Sequence, residues 1–166
     1  MKTFYLIRHA KSSWADMSLQ DFNRPLNKRG LRDAPFMAKM LAGKGVRPDA
    51  IVASPANRAW TTANYFFREM GLQANQIHQK PEIYEAWSKT LLDVVLGLDD
   101  NWSTVLIFGH NPAFTELANV FAKEYIPNVP TCGIVKIESS ANSWNAITAD
   151  NAVVTAFYYP KQYFSN

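Results

Sequence analysis

The feature that most constrains this chain is a set of short, unbroken apolar runs, each giving way to polar residues rich in chemistry. Phe4-Tyr5-Leu6-Ile7, Ala50-Ile51-Val52-Ala53 and Val105-Leu106-Ile107-Phe108 show no alternation between apolar and polar positions. Strands of that kind are covered on both faces, as in parallel sheets flanked by helices. Ile134-Val135-Lys136-Ile137 and Val153–Tyr158 supply two later strands, and Gln76-Ile77-His78-Gln79 a weaker one. Helical stripes lie between them: Leu31, Ala34, Ala38 and Leu41; Trp60, Ala63, Asn64 and Phe67; Leu91, Val94, Val95 and Leu98; Phe114, Leu117, Ala118 and Phe121. This order predicts an α/β three-layer sandwich, with a mostly parallel central sheet and helices on both faces. The last two strands are joined through Ser139–Asn151, which has no helical pattern, so an antiparallel edge strand is expected. With no internal repeat or linker, residues 1–166 read as a single domain.

Composition narrows the function. A chain of 166 residues with 48% apolar and 19% charged residues can build a full core. The lone Cys132 excludes an intramolecular disulfide and a cysteine-rich zinc site, and His9, His78 and His110 are too scattered for a local metal motif. The net charge of +3 comes with no basic run, so no nucleic-acid partner is expected. No stretch reaches the length of a membrane span, and Arg8-His9 ends the opening apolar run too early for a signal peptide. A cytoplasmic protein with no membrane association is the expectation.

In open α/β sheets ligands bind beyond the carboxyl ends of the strands. Arg8-His9 follows the first run, Ser54-Pro55-Ala56-Asn57-Arg58 the second, Glu82 and Glu85 the weak strand, and Gly109-His110-Asn111-Pro112 the strongest. Two arginines, two histidines and a carboxylate therefore gather at one edge. Ser54-Pro55 and Asn111-Pro112 read as N-cap and first helical residue, and helix starts favour anions. Arginine forks suit phosphate oxygens. A neutral imidazole is a competent nucleophile toward phosphorus, and a protonated second one would hold a phosphoryl oxygen. Glu85 could act as general acid, and the arginines supply the charge for which other phosphatases use a metal, so no metal or other cofactor is called for.

These residues carry a resemblance. Leu6-Ile7-Arg8-His9-Ala10-Lys11-Ser12 resembles the Arg-His-Gly motif of the histidine phosphatase superfamily, the phosphoglycerate mutase-like fold. Ser54–Ala59 is similar to that family's second arginine motif, Tyr84-Glu85-Ala86 to its acid segment, and Gly109–Pro112 to its second histidine motif. Arg24-Pro25-Leu26-Asn27-Lys28-Arg29-Gly30 resembles the compact SixA-like phosphohistidine phosphatase branch. The resemblance implies a phosphorylated nucleophile at His9, a phosphate pocket completed by Arg8, Arg58 and His110, and a proton donor at Glu85, with Glu82 the rival for that role. It extends to Ser12, Arg24 and Asn111 as substrate-binding residues. The implied substrate is a phosphohistidine protein. The alternatives are a small phosphorylated metabolite handled by the same machinery, or a phosphate-binding module that does no chemistry.

The chain departs from the family pattern at Ala10, where glycine is commoner, and at Ala15, where many mutase-like members have asparagine. Ala10 is compatible with the motif if its φ is negative. No long insertion follows Glu85, so an open site suited to protein-borne phosphate is expected. His78 reads as a partly buried strand histidine. Trp14, Trp60 and Trp87 read as packing residues, with Trp14 able to rim the site, and the Tyr158–Phe164 tail reads as core or edge cover.

Overall fold

The computed structural model describes residues 1–164. Six strands form one sheet in the order β3-β2-β4-β1-β5-β6. They are β1 (Lys2–Arg8), β2 (Ala50–Ala53), β3 (Ile77–Gln79), β4 (Thr104–Gly109), β5 (Ile134–Ser139) and β6 (Ala152–Tyr158). The first four pair in parallel, with Leu6 opposite Ile107 and Ile51 opposite Leu106. β5 alone is reversed. It pairs antiparallel with β1 on one side and with β6 on the other, so the edge strand β6 is held by antiparallel pairing, as expected.

Four helices cover the two faces: α1 (Lys28–Gly43), α2 (Asn57–Glu69), α3 (Ser88–Leu96) and α4 (Ala113–Phe121). The pleat of β1 sends Phe4 and Leu6 toward α3 and α4, and Tyr5 and Ile7 toward α1 and α2. Both faces are buried, which is why the strand sequences show no alternation.

On α1 Ala34, Ala38 and Leu41 are buried as read, while the stripe of α2 is rotated. Leu31 is exposed, while Asp33 is buried beneath the guanidinium of Arg32. On α2 the buried residues are Arg58, Ala59, Thr62, Ala63 and Phe66, about one position off the expected set. The stripes of α3 and α4 face the core as read, apart from the half-buried Val94. Trp60 packs on the core, but Trp14 and Trp87 are 64% and 79% exposed and are not packing residues. His78 is half-buried on β3 and stacks on Trp102. Phe164, in the aromatic tail, lies 4.8 Å from the Phe36 ring as edge cover.

One connection replaces a crossover helix. From Ile126 to Val129 the chain runs back along α4, held by a polar row at every fourth position. Asn119 exchanges hydrogen bonds with the Ile126 backbone, Thr115 Oγ1 accepts from Val129 N, and Asn111 Nδ2 donates to Val129 O at 2.9 Å. This strap returns the chain to the carboxyl end of β1, where β5 begins.

Candidate active site

Arg8 ends β1 and His9 follows it, still buried at 7% exposure. His110 follows β4 directly, and the register that sets Arg8 beside Gly109 brings the two imidazoles within 5.3 Å, centroid to centroid. Gly109 lets Ile83 and Phe114 pack against the end of β4, because a Cβ there would stand 2.6 Å from both Ile83 Cγ2 and the Phe114 ring. Ala10 is tolerated in place of glycine. Among the described residues only Glu85 and Cys132 combine a side chain with a positive φ.

The chemistry of His9 is set by two contacts. Its Nδ1 lies 2.7 Å from the Ala10 carbonyl, which only accepts, so the ring proton sits on Nδ1 and Nε2 keeps its lone pair. Burial, more than the nearby His110, Arg58 and Arg8 that act in the same direction, holds its pKa down to about 3, although the Ala10 bond opposes this. His9 is therefore a neutral imidazole at neutral pH.

His110 is also neutral, its pKa lowered to about 4 by burial and then by Arg58. Its Nε2 meets Ser54 Oγ at 2.8 Å. A serine hydroxyl donating to Nε2 leaves the proton on Nδ1, which is buried without a partner. A neutral His110 can thus still donate to a phosphoryl oxygen.

Arg58 lies in the first turn of α2, as read, and is buried. The helix starts later than the sequence suggested: Ala56 is the N-cap, and Ser54 instead accepts from Ala56 N. Arg8 Nη1 donates to Val129 O at 3.1 Å. Nε of both arginines is buried and unpartnered. Together with His110 Nδ1, three unsatisfied donors belong to side chains at this one edge. Buried polar groups are rarely left unpaired, and such a set fits an anion with several acceptor oxygens.

Two residues in the site escaped the sequence reading. Asp21, from the irregular stretch Ser12–Pro25, accepts from Arg58 Nη2 at 3.0 Å, from Arg24 Nε at 3.3 Å and from the Tyr84 hydroxyl at 2.7 Å. Burial pushes its carboxyl up, but Tyr84 and Arg58 together hold it below the usual range. Burial and then the Asp21 bond push the Tyr84 hydroxyl up to about 12. The Tyr84 ring also stands edge-on to His110 at 5.7 Å. Asp21 has no sequence signal and Tyr84 only its place in the Tyr84-Glu85-Ala86 segment, since each acquires its role from a partner far along the chain.

The remaining expectations sort unevenly. Glu85 is exposed next to Tyr84, with φ of 57°, and Glu82 is exposed in the turn Pro81–Ile83. Arg24 is buried, and its guanidinium stacks 3.5 Å from the centroid of Trp14. Ser12 is buried, and its backbone bridges Leu26. The Asn111 amide is fully engaged within the fold, donating to Asn128 and Val129 and accepting from Thr115. Its oxygen bonds the helix as a cap would, but α4 begins only at Ala113, with Pro112 as N-cap.

Among the described residues no group of three or more His, Cys, Asp or Glu side chains is placed to hold a metal ion. No described helix is long and apolar enough to cross a membrane.

Comparison with known proteins gives a consistent picture. The family model of the histidine phosphatase superfamily (branch 1) matches residues 4–91. An uncharacterised chloroplast protein of Arabidopsis thaliana is 31% identical over 147 residues, covering 84% of this chain and 67% of that protein. The crystal structure of a proposed phosphohistidine phosphatase SixA from Agrobacterium tumefaciens superposes with a TM-score of 0.81. It is 27% identical and covers 96% of this chain and 98% of its own. A protein histidine phosphatase SixA bound to tungstate shares the fold at a TM-score of 0.77 and 19% identity, over 93% of this chain and 95% of its own. By family match, sequence relationship and fold, the chain belongs to the histidine phosphatase superfamily, in its compact SixA-like branch.

Proposed function

We propose that this phosphatase hydrolyses phosphohistidine on a protein through a phosphohistidine intermediate on His9. The observation that carries the reading is the pairing of a neutral His9, with its Nε2 lone pair free, with buried unpartnered donors on Arg8, Arg58 and His110. The donors hold the phosphoryl oxygens while Nε2 attacks phosphorus. The phosphorus–nitrogen bond of the substrate breaks as one to His9 forms, and the substrate ring, protonated on its other nitrogen, leaves as neutral imidazole. Water then attacks the intermediate and releases phosphate. Positive charge on Arg8 and Arg58 serves where other phosphatases use a metal ion. The similarity to the Agrobacterium protein, whose description names phosphohistidine, supports this substrate class.

Rapid quenching with labelled phosphohistidine protein tests it. Label is expected on His9, stable in base and lost in acid, and turnover is expected to survive exhaustive chelation. Label on any other residue, or activity lost to chelation and restored by magnesium or zinc, sinks the mechanism. Far better turnover of sugar phosphates than of phosphohistidine proteins would keep the chemistry and replace the substrate. Phosphate binding without turnover of either would reduce the protein to a binding module.

A further inference from the structure

A second concavity lies at the same end of the sheet as His9. It encloses about 290 Å³ between the first turns of α1, the segment that precedes β5 and the end of β6. Among the described residues its charge is unbalanced, with Arg29, Arg32 and Lys161 lining it against the one carboxylate of Asp33. Arg32 pairs with buried Asp33 at 2.9 Å, while Arg29 stands 3.9 Å from it. Arg32 thus neutralises Asp33, and Arg29 and Lys161 remain in excess. Arg29 is half exposed and steadied by donating from Nη2 to Thr131 Oγ1 at 3.2 Å. The rest of the lining includes Tyr159 and Pro130. An oriented guanidinium over aromatic and proline surface suits a carboxylate carried on a short apolar stem.

Location gives the cavity a meaning. β1, β5 and β6 are consecutive neighbours, and the cavity is lined from β6 and from the residues just before β5. At about 4.8 Å per strand spacing, it stands roughly 10 Å across the sheet from the end of β1. An extended peptide covers that distance in about three residues. The intervening wall is shared, since Val129 O accepts from Arg8 and Asn128 Oδ1 accepts from Asn111.

We propose that this cavity is a docking subsite for an acidic segment of a phosphoprotein substrate. It receives a glutamate or aspartate side chain about three residues (~10 Å) from the phosphorylated residue engaged by His9. The proposal rests on the phosphatase reading of the His9 site and adds the charge character of the surface that site accepts.

A peptide of alternating Glu and Ala, fluorescently labelled and free of phosphate, reads the cavity without the chemistry. By anisotropy at low salt it is expected to bind, with binding weakened about ten-fold by Lys161→Glu or Arg29→Glu and by about 0.5 M salt. A peptide of Lys and Ala is expected not to bind. Absence of binding by the Glu peptide, or binding indifferent to both substitutions, overturns the proposal whatever the active site does.

Turnover tests the link to the active site. Phosphohistidine peptides with Glu three residues from the phosphorylated position are expected to exceed their Ala counterparts about ten-fold in kcat/KM, and the substitutions are expected to erase that preference. A loss of the same size on p-nitrophenyl phosphate would place the damage in the chemistry and overturn the subsite. Preference for a small phosphomonoester bearing a carboxylate over every peptide would overturn the macromolecular occupant. If no phosphohistidine peptide is turned over while the Glu peptide still binds as expected, the substrate reading falls and the acidic docking site stands.

Discussion

Arg58 meets Asp21 with both terminal nitrogens, Nη2 on the carboxylate at 3.0 Å and Nη1 on the backbone carbonyl at 2.7 Å. The end of the guanidinium is thereby fixed, and Nε is left buried and unpartnered along its side. Asp21 therefore orients Arg58 for a side-on approach to a phosphoryl group. Asp21→Asn is expected to lower kcat/KM about ten-fold and to weaken inhibition by vanadate. Arg58→Ala is expected to cost the 10²–10³-fold typical of losing a transition-state donor. Tighter vanadate binding by Asp21→Asn would show that the carboxylate competes with the ligand for Arg58.

Acid sensitivity follows from the two histidines. Both have folded pKa values, about 3 and about 4, below the ordinary 6.5. As pH falls below 6.5 the unfolded chain binds protons that the fold excludes. Stability is therefore full above that pH and declines as pH drops toward the folded values. Each histidine contributes up to about 1.4 kcal/mol per pH unit within this window. Melting temperatures measured from pH 7 to 4 are expected to fall, and to fall less steeply in His9→Asn and His110→Asn. Parallel slopes in all three proteins would refute the assignment.

Glu85 combines exposure, a place beside the site and a left-handed backbone. A proton donor matters most where the leaving group is a poor one. Glu85→Gln is expected to slow alkyl phosphate hydrolysis by about 10²–10⁴-fold, aryl phosphate far less, and phosphohistidine little. Equal losses on all three would mean that Glu85 orients the pocket without donating a proton. Glu85→Gly is expected to share the catalytic defect yet stabilise the fold by about 1 kcal/mol, because φ of 57° suits glycine. A lowered melting temperature for Glu85→Gly would remove the argument from strain.

Asn111 matches a family motif, but its amide ties the strap to the start of α4. Asn111→Ala is expected to cost about 1–3 kcal/mol of stability through the bonds left unpaired, or roughly 2–4 °C of melting temperature per kcal/mol. Its effect on KM is expected to be similar for peptide and small-molecule substrates. An unchanged melting temperature with a rise in KM confined to one substrate would make it a substrate ligand instead.

The sequence made legible those parts that depend on nearest neighbours along the chain. Strands stood out as apolar runs, and Arg8, His9, Arg58 and His110 because each lies at or just beyond a strand's carboxyl end. Asp21 and Tyr84 stayed hidden because their partners lie 37 and 63 residues away. The burial of Asp33 in place of Leu31 on α1 was hidden for a similar reason. A buried Asp33 is tolerable only beneath the Arg32 guanidinium, and no periodicity of apolar residues reports an ion pair. The start of α2 was misplaced because Ser54 accepts from Ala56 N within its own turn, and that of α4 because Asn111 reaches Thr115 N from one residue before the N-cap Pro112.

The strap along α4 has a consequence for which parts of the molecule move first. This return is seated by Ile126 and Val129, both buried in the core, and is fastened to α4 by three side chains, Asn111, Thr115 and Asn119. A short connection held by so few groups opens at lower cost than the central strands it joins. Its far end carries the Val129 carbonyl on which Arg8 rests. One arm of the phosphate pocket is thus moored to a piece of chain that can unbutton while the sheet stays whole. Amide exchange in residues 126–131 would outpace that of β1 and β4, and would slow when an anion draws Arg8 tight.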